Sequence, residues 1–346
     1  VSIINDMKIY LIPVLILNLL FIGCDLVNSK EDSQPNPRIT FNANNNGYDI
    51  FSMEYDGSNV LRLTEGSLDN WLYDYSPDGK KILYTMGTGR DLEIYTLNAA
   101  SLEKIRLTNN EDRDSWPWFT PDGEKIVFLS DRDGNNEVYI MDNDGSNPIN
   151  ITNHPGNDFD PKVSPNGVQV AFRSDRNGTI QLFLVDLDGS NLIEISQDND
   201  ILFDFYSDGS ELLILHSNQL YIAGNNASEY GTALTTTKFF GNAFYSRDQR
   251  NVFFSAQLDG EYFSNYGIYR YDLHTEQILL LSDSTVSSFA KCEDPEGEFI
   301  FYHTQEFTDD NETSQIWRMN IDGTNKLPIF QDFYVNGLII CQPDNE

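Results

Sequence analysis

From Arg38 to its last residues the chain repeats one motif of about 44 residues, and nothing else in the sequence restricts the fold as tightly. The clearest landmark is an aromatic residue inside a short alternating apolar run: Phe51, Tyr95, Tyr139, Phe183, Tyr221, Tyr269 and Trp317. The spacings between them are 44, 44, 44, 38, 48 and 48 residues. Runs such as Glu93-Ile94-Tyr95-Thr96-Leu97 have the composition and period of half-buried strands. A second strand precedes each run, and a third follows it, commonly ending in Thr or Ser. Turns of Pro-Asp-Gly type stand before the second strand. Ser76-Pro77-Asp78-Gly79, Thr120-Pro121-Asp122-Gly123 and Ser164-Pro165-Asn166-Gly167 are the clear copies, and Ser246-Arg247-Asp248-Gln249 is degenerate. Proline presets one turn dihedral and glycine supplies a positive φ, so these turns close tight hairpins.

Four antiparallel strands repeated at this period make a propeller blade. The first copy lacks its leading strand, and residues 334–344 supply it: an apolar strand, then Gln342-Pro343-Asp344. The expectation is an all-β, seven-bladed propeller over residues 38–346, its first blade completed by the C-terminal strand. A closed ring leaves few free sheet edges.

Ahead of the repeats, Lys8 and the apolar residues 9–22 read as a signal peptide, with Met7 as the natural start. Fourteen residues, apolar except for Asn18 and with Pro13 inside, are short for a membrane span, which needs about 20. Phe21-Ile22-Gly23-Cys24 resembles a bacterial lipobox, which makes Cys24 the expected lipidation site. An ordinary cleaved signal with an incidental Cys24 is the alternative. Residues 25–37 are polar and Pro-containing, a flexible tether.

Charge narrows the partners. With 22 Lys and Arg against 54 Asp and Glu, the net charge of −32 disfavours nucleic acid and docking on anionic lipid head groups. A chain with 40% hydrophobic and 13% aromatic residues nonetheless has ample material for a core.

The repeats resemble the TolB-like propeller family with its WD40-like PD40 motifs. Trp118-Phe119-Thr120-Pro121-Asp122-Gly123-Glu124-Lys125-Ile126-Val127-Phe128, followed by Ser130-Asp131-Arg132-Asp133-Gly134, lies close to the family pattern, as does Asp142-Asn143-Asp144-Gly145-Ser146-Asn147. TolB itself resembles this chain only in part, because it carries an α/β domain before a six-bladed propeller. The expectation here is a bacterial lipoprotein without that domain.

In a four-strand meander alternate turns fall on opposite faces. The Pro-Asp-Gly and Asp-Gly-Ser-Asn hairpins share one face. The other holds the more variable second-to-third-strand loops and the blade-to-blade links, and is the expected binding face. Asp69, Asp114, Asp158 and Asp200 recur there just before the inner strand. They suit a cation or cationic ligand, including structural calcium, or they cap their own turns. Trp71, Trp116 and Phe159 form an aromatic binding lip or wedge between blades. The Asp-rich strings at 131–136 and 142–145 lack the flanking helices and late Glu of an EF-hand and read as hairpin turns.

No Gly-x-Ser-x-Gly elbow occurs, and His154, His216, His274 and His303 show no metal-binding spacing. Oligogalacturonate lyases use this kind of propeller, and resemblance to them would imply a histidine-bound metal that four scattered His do not supply. No cofactor is expected. Cys292 and Cys341 are either a disulfide across the ring closure or two buried thiols. The expected function is non-catalytic: a monomeric, membrane-tethered propeller that binds a protein or glycan partner in the bacterial envelope. A glycan-active enzyme with carboxylates at the channel mouth is the alternative.

Overall fold

The structure, a computed structural model, describes residues 38–44, 47–196, 200–225, 230–235, 239–257, 266–282, 286–307, 312–331 and 334–343. Twenty-eight strands form seven four-stranded antiparallel sheets. Blade 2 is β4 (Asn70–Tyr75), β5 (Lys81–Thr88), β6 (Asp91–Asn98) and β7 (Lys104–Arg106), running from the inner to the outer edge. Blade 3 is β8 (Asp114–Phe119), β9 (Lys125–Ser130), β10 (Glu137–Asp142) and β11 (Ile149–Asn150). Blade 4 is β12 (Asp158–Val163), β13 (Gln169–Ser174), β14 (Gln181–Asp186) and β15 (Ile193–Glu194). Blade 5 is β16 (Ile201–Phe205), β17 (Glu211–His216), β18 (Gln219–Gly224) and β19 (Tyr230–Ala233). Blade 6 is β20 (Phe239–Tyr245), β21 (Asn251–Ala256), β22 (Gly267–Asp272) and β23 (Gln277–Leu280). Blade 7 is β24 (Ser287–Glu293), β25 (Phe299–Phe307), β26 (Glu312–Asn320) and β27 (Leu327–Phe330). Blade 1 takes its inner strand from the C-terminus: β28 (Tyr334–Cys341) pairs antiparallel with β1 (Arg38–Asn44), followed by β2 (Tyr48–Glu54) and β3 (Leu61–Arg62). The expected fold is therefore present, closure included.

The recurring aromatic is now explained. It sits on the third strand directly opposite an aromatic of the second: Phe41 with Phe51, Tyr84 with Tyr95, Phe128 with Tyr139, Phe172 with Phe183, Phe254 with Tyr269 and Tyr302 with Trp317. Ring centroids lie between 5.4 and 6.2 Å apart. Such cross-strand pairs stabilise a sheet by about 0.2–1 kcal/mol each. In blade 5 Ile214 faces Tyr221 instead. Seven buried apolar clusters fill the spaces between successive blades. The cluster of Ile39, Phe41 and Phe51 with Phe301, Ile316 and Phe330 joins blade 7 to blade 1.

The Thr or Ser after the outer strand also has a purpose. The hydroxyls of Thr64, Thr108, Thr152, Ser196, Thr235 and Ser282 accept the N–H of Ile50, Ile94, Val138, Leu182, Leu220 and Ile268 on the third strand. They satisfy backbone groups that the short outer strands leave over. At the opposite end, Ser76, Thr120, Ser164 and Ser246 accept the N–H five residues on and donate to the Asp or Asn two residues on. The degenerate turn keeps this geometry because Gln249 takes up the positive φ, 57°, that glycine supplies elsewhere.

Candidate functional site

The inner strands begin on the loop-rich face, and each breaks register against its second strand. Extra residues lie at Tyr73, around Trp116 and Asp160, at Phe203, around Gly241, at Lys291 and between Val335 and Ile339. Bulges twist a strand and re-aim its side chains. They separate the channel mouth above from the regular blade packing below.

At the mouth, Asp114 and Asp158 are fully buried, and Asp200 is 1% exposed. Arg132 Nη2 donates to both oxygens of Asp114, at 3.0 and 3.1 Å, and Asn110 Nδ2 donates at 2.6 Å. The Arg132 guanidinium also donates to Ser130 Oγ and lies over the rings of Phe128 and Tyr139. Blade 4 repeats the unit: Arg176 bonds Asp158 at 3.1 Å and Ser174 at 2.9 Å, over Phe172 and Phe183. Burial pushes the Asp158 carboxyl above its usual range. The Ser-Asp-Arg string is thus more than a hairpin turn: it delivers a cation onto its own blade's carboxylate.

The register corrects one position. Asn70, not Asp69, starts β4 opposite Met86, as Asp114 starts β8 opposite Ser130. Asp69 sits one residue earlier and accepts the Tyr48 N–H at 3.0 Å. The expected acids therefore do not converge on a shared cation. Among the described residues no three His, Cys, Asp or Glu side chains gather to hold a metal ion. The Asp-rich strings act as turns, with Asp144 Oδ1 accepting the Ser146 N–H.

Each of the two tryptophans packs on a tyrosine of the preceding blade. Trp71 packs on Tyr48 of blade 1, with centroids 4.4 Å apart. Trp116 meets Tyr73 of blade 2 edge-on at 5.8 Å. Trp116 is 39% exposed and has φ +55°. Holding a non-glycine residue there costs about 1–3 kcal/mol, and such strain clusters at functional sites. Phe159, half-buried, precedes Asp160, which pairs with Arg173. Tyr48 and Tyr73 are the members sequence reading misses. Their blades are adjacent, but only the ring closure and the bulge bring their rings to the tryptophans.

Elsewhere on the ring Cys292 and Cys341 form a disulfide between blade 7 and the closing strand, with Cα atoms 6.0 Å apart. Beside it, burial pushes the Lys291 amine down to about 8. His303 stacks on Phe289 at 5.0 Å, and burial, then Lys291, lowers it well below the ordinary histidine value. His216, His274 and His303 lie on blades 5, 6 and 7, and His154 in the link between blades 3 and 4. Cys24, the signal segment and the tether lie outside the described residues, as do most of the long loops of blades 6 and 7.

In blade 5 the carboxylate is met by a histidine instead of an arginine, and that histidine stands at the register position of Ser130 and Ser174. His216 Nδ1 lies 2.9 Å from Asp200 Oδ1, and Tyr230 donates its O–H to Asp200 Oδ2 at 2.6 Å. Tyr230 also stacks on the imidazole at 4.0 Å. Ser217 Oγ lies 3.2 Å from His216 Nε2. No sequence motif signals this relay, because Asp200 is distant in the chain and Ser217 and His216 are neighbours.

Comparisons with known proteins agree with the architecture. TolB from Acinetobacter baumannii superposes with a TM-score of 0.57 at 19% identity, covering 89% of this chain and 67% of that one. An oligogalacturonate lyase in complex with manganese gives 0.61 at 13%, covering 85% and 84%. A puromycin-hydrolyzing peptidase from Mycobacterium tuberculosis gives 0.65 at 11%, covering 85% of this chain and 53% of the peptidase. At these identities the likeness is one of fold. No curated protein matches the chain by sequence. The model of PD40, the TolB beta propeller domain, matches residues 36–260, well over half of the sequence, and the chain belongs to that family.

Proposed function

We propose that this protein is a binding module of the bacterial cell envelope, tethered through Cys24, that takes a protein or glycan partner on its loop-rich face. The carrying observation is the aromatic surface of blades 1–3. Tyr48, Trp71, Tyr73 and Trp116 form two ring pairs, and the most exposed ring belongs to a strained backbone position. Flat aromatic surface at a channel mouth suits sugar rings and peptide side chains alike, and buried Trp and Tyr dominate measured interface energies. The recurrent acids support the reading indirectly. Asp114, Asp158 and Asp200 are each paired inside their own blade, and Trp116 is the exposed ring of the four.

The test is a Trp-fluorescence titration with peptidoglycan fragments and envelope oligosaccharides, run beside in-cell crosslinking. Trp116→Ala is expected to weaken a captured partner at least 10-fold, about 1.4 kcal/mol, without lowering the melting temperature. Equal capture by wild type and by Trp71→Ala/Trp116→Ala would remove this face from the binding reading.

A further inference from the structure

We propose that Ser217 is a nucleophile activated by His216 and Asp200, giving blade 5 an acyl-transfer activity toward small neutral esters, an activity separate from partner binding. The geometry is that of an acid–base relay. Asp200 accepts only, so in the neutral imidazole Nδ1 carries the proton and Nε2 presents its lone pair to the Ser217 hydroxyl. Tyr230 holds the second oxygen of Asp200 and covers one face of the ring, which fixes the imidazole's orientation. Asp200 and Tyr230 are positioning residues in this scheme, while Ser217 and His216 are the catalytic ones.

Two comparisons within the molecule separate this from simple charge neutralisation. Blades 3 and 4 cover the equivalent carboxylate with an arginine, and their serines, Ser130 and Ser174, are buried beneath it. Blade 5 has His216 at the register position of those serines, where its ring meets the carboxylate, and an exposed serine beyond it on the loop-rich face. Ser217 and Asn218 form the two-residue turn beyond the last ladder pair, His216 with Gln219, and both have positive φ, 49° and 64°. The hydroxyl is therefore held at the tip of a strained hairpin. The amides of these two residues lie outside the strand ladder, where an oxyanion needs donors.

In the reaction the Ser217 Oγ–acyl bond forms as the ester C–O bond breaks. The serine proton passes to His216 Nε2 and from there to the departing alcohol, and water then hydrolyses the acyl-serine by the reverse path. An open turn selects small acyl groups, and a chain of net charge −32 repels anionic esters.

When the full chain is treated with an alkyl fluorophosphonate, the Ser217 Oγ–phosphorus bond forms as the reagent's P–F bond breaks, fluoride and the serine proton depart, and peptide mass spectrometry locates the phosphonyl group. The expected result is one adduct on Ser217, absent in Ser217→Ala and formed at least 100-fold more slowly in His216→Gln. Ser217 is exposed, so its alanine variant keeps the fold. With p-nitrophenyl acetate, Asp200→Asn is expected to lower kcat at unchanged KM. Absence of label from Ser217, equal labelling of heat-unfolded protein, or equal rates in wild type and His216→Gln would each overturn the proposal.

Discussion

Arg176 and Asp158 are nearly inaccessible to water, with side-chain exposures of 6% and 0%. A buried ion pair adds little over an apolar pair of the same volume, but half of one is costly. Arg176→Met is therefore expected to destabilise the protein by about 3–5 kcal/mol in denaturant unfolding, and Asp158→Leu/Arg176→Met to recover most of that loss. A double variant as unstable as the single one would show that the arginine acts through its stacking on Phe172 and Phe183 instead. At this scale the sequence exposes half of each arrangement. The period marks Asp114, Asp158 and Asp200 as equivalent, but their partners stand 16 to 18 residues away, where only the blade geometry brings the chain back.

Between elements, carboxylates fasten neighbouring inner strands. Asp74 Oδ2 accepts the Phe119 N–H of the next blade at 3.0 Å, and Asp204 Oδ2 accepts that of Tyr245. Glu293 accepts the Arg247 N–H across the blade 6–7 junction. Burial pushes Asp74 and Glu293 each up to about 7. A carboxyl raised in the folded state contributes stability that is complete below its unfolded pKa and is lost as pH rises through its folded one. The melting temperature is thus expected to fall from pH 6.5 to 8, and Asp74→Asn to flatten that slope. His303 and Lys291 carry the opposite sign, but the His303 contribution is complete just above its unfolded value of 6.5, and the Lys291 contribution is already lost on descending to about 8. A slope unchanged in Asp74→Asn would assign the pH dependence to other groups. Strand positions, hairpin turns and the closing strand are legible in the sequence. The bulges are not, because they answer the curvature of the channel wall and leave no fixed residue type behind: Tyr73, Phe203 and Lys291 share the place.

For the molecule as a whole, the ring is closed by non-covalent pairing of β28 with β1 and by one covalent bond at the same seam. The Cys292–Cys341 disulfide spans 49 residues, which in the chain-entropy view amounts to about 4 kcal/mol. Cys341→Ser, or reduction by dithiothreitol, is expected to lower stability by roughly 2–5 kcal/mol. Hydrogen exchange should rise first in β28, β24 and β1. Exchange rising evenly over all seven blades would mean that the seam is not the weakest joint once unlatched. Such a bond persists in an oxidising compartment.

Periodicity alone determined the blade count, the strand order within each blade and the closure by the C-terminus, because a repeating strand pattern can bury its apolar faces only against copies of itself. Tertiary structure decided which side chains are spent and which are free to act. Of the recurrent acids that look like a shared site, Asp114, Asp158 and Asp200 are each paired in their own blade with an Arg or a His, and Asp69 accepts a backbone N–H of blade 1. Two tyrosines complete the tryptophan surface, and a serine meets a histidine at the tip of blade 5. These outcomes depend on distances set by ring closure and by bulges, and the chain carries no local pattern for either.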